Sequence, residues 1–64
     1  MNRIEQGKKY QDGVQVSWSE TGTEQKEFFT YEELIGMKIN VLDLIYNPGI
    51  YLVDPGHHLI ASSV

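Results

Sequence analysis

His57 and His58, which follow shortly after Asp54, are the residues of this chain best suited to metal chemistry. Imidazole nitrogens and carboxylate oxygens are ordinary zinc ligands. Neighbouring residues of a strand point to opposite faces, however, and histidine pairs that bind metal on a helix are spaced four residues apart. The three residues are therefore only weak candidates for a metal site. A polar turn that begins a strand is the simpler interpretation, and we expect no metal or other cofactor.

Glu32 and Glu33 form the second arrangement that could support chemistry, since paired carboxylates can serve as general acid and base. The same residues also fit a helix start. Thr30 is a favourable N-cap, and Glu33 three residues later completes a capping box. No nucleophile or oxyanion-binding group accompanies the pair, and no serine has the G-x-S-x-G context of a hydrolase. The sequence therefore predicts a protein that is not an enzyme.

Length and composition restrict the function classes further. The chain has 64 residues, a net charge of −4 and no cysteine, which predicts one small domain over residues 1–64 without disulfides. Its five basic residues are too few for the basic patch of a nucleic-acid-binding protein. There is no apolar run of about 18 residues and no apolar leader at the start. These features predict a cytoplasmic protein that binds neither nucleic acid nor membrane.

The first half of the chain has the pattern of a hairpin. Apolar and polar residues alternate over 14–19, which predicts a half-buried strand. Residues 24–29 predict a second strand, and the glycine-containing loop between the two indicates an antiparallel hairpin. Residues 1–7 are expected to be frayed, with a short strand over 8–11.

Residues 31–46 allow two interpretations. In the first they form one long helix, because the polar residues gather in an arc of about 100° on a helical wheel. In the second the helix ends at Gly36, a common residue after a helix C-terminus, and the chain continues as a β-branched strand. We predict the long helix, because segregation of polar residues is the stronger test. Such a helix is more apolar than one small sheet can cover, which predicts a homodimer.

Two turn sequences, Asn47-Pro48-Gly49 and Asp54-Pro55-Gly56, divide the rest of the chain. Residues 50–53 and 57–64 are predicted strands. The expected order is therefore strand, strand, helix, strand, strand. The sequence predicts an α+β fold, a small antiparallel sheet of about four strands (ββαββ order) with one helix packed on a face.

One stretch of the chain resembles a known family. Residues Tyr31–Met37, followed by Leu42–Ile45 and Pro48, are similar to the EELIG…LDLI.P stretch of PAS sensory domains. The resemblance covers under a third of the chain. A hairpin precedes it where PAS domains have helical segments, and the long strands that should follow are missing. We interpret it as convergence on a capped turn that favours a helix break at Gly36, and no ligand pocket is implied.

The leading functional prediction is a non-enzymatic, small acidic module that binds another protein. Compact acidic chains of this kind are typical of phage and mobile-element proteins that inhibit or regulate a host factor, which is an analogy of size and composition. The alternative is a small structural or assembly subunit that forms a homo-oligomer. The predicted contacts are an acidic face and three aromatic anchors, namely Glu20, Glu24, Glu27, Glu32, Asp43, Trp18, Tyr46 and Tyr51.

Overall fold

Most of the regular secondary structure in residues 1–63 consists of six strands in two antiparallel sheets. The computed structural model describes residues 1–63, and Val64, which the expected last strand included, lies outside them. The strands are β1 (Asn2–Arg3), β2 (Gln6–Lys9), β3 (Gly13–Glu20), β4 (Thr23–Thr30), β5 (Tyr51–Asp54) and β6 (Leu59–Ser62). One sheet has the order β1-β5-β6 and the other the order β2-β3-β4.

The expected single sheet of about four strands with one helix is therefore wrong. One reason is that the first nine residues, of which 1–7 were expected to be frayed, form two strands that belong to different sheets. β1 pairs with β5, and β2 pairs with β3. The N–H of Glu5 donates to the Ser17 carbonyl at 2.8 Å, although the residue opposite Ser17 in the register is Gln6. Glu5 and Gln6 therefore both lie opposite Ser17, which is the arrangement of a β-bulge, and a bulge bends its strand. The bend lets Ile4, which is completely buried, point between the sheets.

The predicted hairpin is confirmed. β3 and β4 pair along their whole length, with Glu20 opposite Thr23. The two residues between them, Thr21 and Gly22, both have positive φ, of 49° and 81°. Positive φ at both central residues defines the type I′ turn, whose twist matches that of the flanking strands.

The expected long helix over 31–46 is also wrong. The structure contains two short helices, α1 (Tyr31–Gly36) and α2 (Val41–Tyr46), and a 3-10 turn over Pro48–Ile50. The start of α1 is as predicted: Thr30 Oγ1 accepts from the N–H of Glu33 at 3.1 Å, and Glu33 Oε1 accepts from the N–H of Thr30 at 2.9 Å. The capping box is therefore confirmed, and only the helix that follows it is shorter than expected.

The break after α1 is a Schellman motif. Lys38 has a φ of 61°, and its N–H donates to the Ile35 carbonyl at 2.9 Å. The N–H of Ile39 reaches back to the Leu34 carbonyl, also at 2.9 Å. These bonds satisfy the last carbonyls of the helix, and the burial of both Ile39 and Leu34 supplies the hydrophobic contact that accompanies the motif.

A second cap explains the polar stripe that suggested one long helix. Asn40 Oδ1 accepts from the N–H of Asp43 at 3.0 Å, so Asn40 begins α2 as Thr30 begins α1. The polar residues of the supposed stripe are therefore mainly the first-turn residues of two helices. Their spacing in the sequence places them on one side of a helical wheel, although they belong to two separate helices.

The core lies between the two sheets and is closed by one side of each helix. Each helix contributes one fully buried residue, Leu34 or Leu44. Ile35, Leu42 and Tyr46 stay exposed, so part of the apolar surplus expected of this region is present on the surface. The buried apolar residues are Ile4, Val14, Val16, Trp18, Phe29, Leu34, Ile39, Leu44, Tyr51, Val53 and Ile60.

Replacing Lys38 by glycine is expected to stabilise the protein. A left-handed backbone is unfavourable for a residue with a Cβ atom, and glycine removes that cost while adding some entropy to the unfolded chain. We expect a net gain of about 0.5–1 kcal/mol in the free energy of unfolding, measured by urea denaturation. An unchanged or lower stability would show that the Lys38 side chain contributes more than its backbone costs.

Glycines 13 and 36 are expected to respond oppositely to alanine. A Cβ atom on Gly13 would lie 2.1 Å from the Phe29 carbonyl oxygen, whereas a Cβ on Gly36 would meet nothing within 4 Å. Gly13→Ala should therefore lose about 1–3 kcal/mol or more through overpacking. Gly36→Ala should gain up to about 1 kcal/mol, because alanine is the better helix former. Equal effects in urea denaturation would contradict the packing described for β3 and β4.

Candidate functional site

His58 is held between two carboxylates that come from different parts of the fold. Its Nδ1 atom hydrogen-bonds to Glu27 Oε2 on β4, and its Nε2 atom lies 3.0 Å from Glu33 Oε2 on α1. The ring also stacks on Phe29, with 4.1 Å between centroids and 14° between planes. A neutral imidazole has only one N–H, so the ring can donate both bonds only when it is protonated. We call these four residues the His58 cluster.

The backbone of His58 is itself unusual. The residue ends the four-residue loop 55–58 between β5 and β6, and its φ is 51°. Residues other than glycine adopt this conformation at a cost, and they do so mainly where the surrounding contacts hold them. The two carboxylates and the ring of Phe29 are those contacts. The cluster therefore connects the β5–β6 loop to the second sheet and to α1.

The contacts within the cluster shift two pKa values in opposite directions. The hydrogen bond to Glu33 is the main cause that raises the pKa of His58 above its usual 6.5, and Glu27 adds to it against the opposing effect of burial. The pKa of the Glu33 carboxyl lies below its usual 4.5, chiefly because of the Thr30 N–H and next because of His58. Both shifts favour the ion pair of an imidazolium with a carboxylate.

The three weak candidates for metal binding do not converge, because His57 and Asp54 contact each other whereas His58 points away from both. His57 Nδ1 lies 2.9 Å from Asp54 Oδ2 at the surface, whereas His58 turns towards the two glutamates of the cluster. Those glutamates contact opposite nitrogens of the ring, so they do not converge on one point beside it. Residues 1–63 hold no group of three or more histidine or carboxylate ligands placed for a metal ion.

A shallow groove crosses the outer face of the β2-β3-β4 sheet. Its central depression, of about 470 Å³, is lined by Tyr10, Gln11, Asp12, Gln15 and Phe28, and we call it with its two extensions the sheet groove. A depression of about 580 Å³ shares Gln11 and Asp12 and reaches the first turn of α1. Another of about 190 Å³ shares Tyr10 and Gln15 and reaches the middle of β4.

The groove has an aromatic centre. Strand alternation turns Phe29 into the core and Phe28 outwards, opposite Gln15 of β3. Phe28 is 39% exposed and Tyr10 42%, and their rings meet edge to face with 6.2 Å between centroids. Lys8 Nζ lies 5.5 Å from the centroid of the Tyr10 ring, a cation–π contact. Because two adjacent strand residues cannot both face inwards, the burial of Phe29 requires Phe28 to face outwards.

One end of the groove is acidic. Asp12 and Glu32 are exposed there, and neither carboxylate has a hydrogen bond or ion pair within residues 1–63. Tyr31 fixes this end, since its hydroxyl donates to the Tyr10 carbonyl at 2.6 Å and its N–H donates to the Asp12 carbonyl at 3.2 Å. The result is two free carboxylates beside an exposed aromatic pair.

The five acidic residues predicted to make contacts do not share one face. Glu32 lines the acidic end of the sheet groove, and Glu24 lines its extension along β4, where Glu24 Oε1 is 3.8 Å from Lys26 Nζ. Glu27 belongs to the His58 cluster on the opposite face of the same strand. The other two, Glu20 and Asp43, accept hydrogen bonds from side chains of the chain itself.

The three predicted aromatic anchors differ in their exposure. Trp18 and Tyr51 are buried in the core. The Tyr51 hydroxyl donates to Asp43 Oδ2 at 3.2 Å, and burial, with this carboxylate, raises the pKa of Tyr51 above its usual 10. Tyr46 is 74% exposed and follows the exposed Leu42 by one turn of α2. Of the three, only Tyr46 is therefore placed to touch another molecule.

Comparison of the chain with protein families, with curated proteins and with solved structures found no match. Neither helix within residues 1–63 has the length and hydropathy needed to cross a bilayer.

The His58 cluster is expected to make stability depend on pH. The contribution of His58, whose pKa is raised, is complete below about 6.5 and is lost as the pH rises through its folded-state pKa. The contribution of Glu33, whose pKa is lowered, is present above about 4.5 and is lost as the pH falls through its folded-state pKa. The free energy of unfolding should therefore be highest in mildly acidic buffer and decrease towards alkaline pH.

His58→Asn is the variant that isolates the ring, because asparagine tolerates positive φ and cannot bridge the two glutamates. Chemical denaturation over the pH series should show a flatter alkaline slope for this variant than for the wild type. His57→Asn is the matched control and should keep the wild-type slope, since its ring contacts only the surface carboxylate of Asp54. Identical slopes for the wild type and His58→Asn would contradict the role assigned to the cluster.

Proposed function

We propose that this protein is a non-enzymatic binding module that holds an extended, positively charged segment of another protein in the sheet groove. The observation that carries the proposal is the exposed aromatic pair, Tyr10 and Phe28, next to the free carboxylates of Asp12 and Glu32. A segment with an apolar residue over the aromatic pair and an arginine or lysine at the carboxylates would satisfy both features.

The aromatic centre supports an extended partner. Grooves lined by aromatic side chains bind extended segments of the polyproline II type, because that conformation is already populated before binding and little entropy is lost. The amides of Gln11 and Gln15 flank the pair, and each can both donate to and accept from a peptide backbone. A flat, solvated sheet face would not need two large aromatic rings packed against each other at its surface.

The charge of the chain supports a basic partner. The net charge is −4, and the acidic end of the groove carries no lysine or arginine among its lining residues. Complementary charge speeds the encounter with a basic segment and disfavours acidic ones. The ion pairs would lie at the surface, so each would contribute modestly to affinity and more to selectivity.

The wider role belongs to the same proposal. By analogy of size and composition, the module would act as an inhibitor or regulator of a host protein, of the kind encoded by phages and mobile elements, in the cytoplasm. The alternative role, a small assembly subunit that forms a homo-oligomer, has support in the outer edge of β4, which pairs with no other strand of residues 1–63.

Selection from a displayed library of random dodecapeptides tests the groove directly. The selected peptides should be enriched in arginine or lysine near an apolar residue, for the reasons given above. Affinity for a selected synthetic peptide should fall at least about tenfold in the double variant Tyr10→Ala/Phe28→Ala, which removes the aromatic contact. It should fall about fivefold to tenfold in Asp12→Asn/Glu32→Gln, which removes two exposed ion pairs.

The control is Leu42→Ala/Tyr46→Ala, which deletes the exposed apolar pair of α2 and should leave the affinity unchanged. Circular dichroism would verify that all three double variants keep the fold. Selected peptides without basic residues would overturn the proposal. Binding that survives loss of the aromatic pair, or that is lost in the α2 control, would also overturn it.

A further inference from the structure

We propose that two copies of this chain pair antiparallel through β4, joining their β2-β3-β4 sheets into one six-stranded sheet in the register that places Glu24 of each copy opposite Lys26 of the other. The occupant of the β4 edge is thus a second copy of the chain. The inference uses the strand edge rather than the aromatic pair, so it stands or falls separately from the proposed peptide groove.

The outer edge of β4 is unpaired in the described part of the chain. β4 ends the order β2-β3-β4, and no other strand of residues 1–63 pairs with it. It spans eight residues, which makes it as long as any strand of the protein. An edge of this length is a template for another strand unless its sequence prevents pairing.

The register within the hairpin shows which backbone groups face that edge. A two-residue turn is closed by a hydrogen-bonded pair, here Glu20 with Thr23, and such pairs then recur at every second residue. The bond from the Tyr31 N–H to the Asp12 carbonyl continues the same alternation. Odd-numbered residues of β4 therefore bond to β3. The N–H and carbonyl groups of Glu24, Lys26 and Phe28 point away from the sheet.

Only one symmetric register joins these groups without placing like charges opposite each other. Lys26 opposite itself, or Glu24 opposite itself, would repel. A shift that sets Lys26 opposite Phe28 would bring the two copies of Glu27 together on the other face. A further shift towards the C-terminal end meets Thr30, whose N–H is already occupied by Glu33. The register with Glu24 opposite Lys26 instead gives two cross-strand ion pairs related by the twofold axis.

The side chains at the edge suit this arrangement. Glu24 and Lys26 already lie within 3.8 Å of each other in one copy, and their side chains are 60% and 55% exposed. The second copy would extend this contact to a four-charge network around the axis.

The pairing is small, so the dimer should dissociate on dilution. Two hydrogen-bonded residue pairs, Glu24 with Lys26 and its symmetry equivalent, contribute four backbone hydrogen bonds. Light scattering or sedimentation over a dilution series from about 1 mM to about 1 µM should show the mass moving from dimer to monomer. Amide exchange should slow at Glu24 and Lys26 in concentrated samples and not in dilute ones.

Charge exchange is the decisive test. Glu24→Lys alone and Lys26→Glu alone each set like charges opposite each other, and each should weaken dimerisation at least about tenfold. The double variant Glu24→Lys/Lys26→Glu restores opposite charges and should recover the wild-type constant to within about threefold. Lys9→Glu changes the net charge as Lys26→Glu does but lies on β2, and it should leave the constant unchanged.

A protein that stays monomeric at about 1 mM would overturn the proposal. If the single charge changes leave the dimerisation constant unchanged, or if the double variant does not restore it, the interface lies elsewhere. A dimer lost in Leu42→Ala/Tyr46→Ala would place it on α2. The peptide groove is tested separately with its own variants, at about 1 µM protein, where the dilution series should show the monomer.

Discussion

The bend between β1 and β2 is the constraint on which the rest of the fold depends. A three-stranded sheet has an apolar face to bury, and within residues 1–63 each sheet buries it against the other sheet and one side of each helix. The bulge at Glu5 and Gln6 lets one stretch of chain serve both sheets. Ile4 lies at this bend and is completely buried, so the apolar core between the two sheets includes the residue at which the chain passes from one sheet to the other.

The His58 cluster ties the two sheets together a second time, at a distance along the chain from the bend. Glu33 takes part in three ways, since it caps α1 through Thr30, binds the His58 ring and lines the acidic end of the sheet groove. A protonated His58 therefore offsets some of the negative charge at the groove. The stability of the fold and the electrostatics of the proposed binding surface depend on the same ionisation.

Local structure was predictable from the sequence where a few neighbouring residues determine it. The capping box at Thr30 and the hairpin follow from short-range chemistry, and both are present. The second interpretation of residues 31–46 ended the helix at Gly36, where α1 ends, but it continued the chain as a strand. The start of α2 could also have been found, because Asn40 followed three residues later by Asp43 is itself an N-cap pattern. The Schellman motif could not, because a lysine at positive φ gives no signal in the sequence.

Long-range arrangements were harder to predict for a physical reason. No sequence pattern near Ile4 indicates that β1 pairs with β5, because the two strands are about 50 residues apart in the sequence. The His58 cluster likewise joins residues that are 25 and 31 positions apart. The sheet groove was partly accessible to sequence reasoning, since the alternation that buries Phe29 must expose Phe28. Its acidic end depends on how Tyr31 docks on β2, which only the structure shows.

The pairing of β1 with β5 has a consequence for the order of folding. Asn2 lies opposite Val53, so this sheet closes a loop of about 50 residues, which is entropically costly and slow. The hairpin of β3 and β4 involves only neighbouring residues and can form early. At a synthesis rate of about 5–20 residues per second, β1 would be made some seconds before its partner β5. The β2-β3-β4 sheet would therefore wait, with one side of its core uncovered, until β5 and β6 are made.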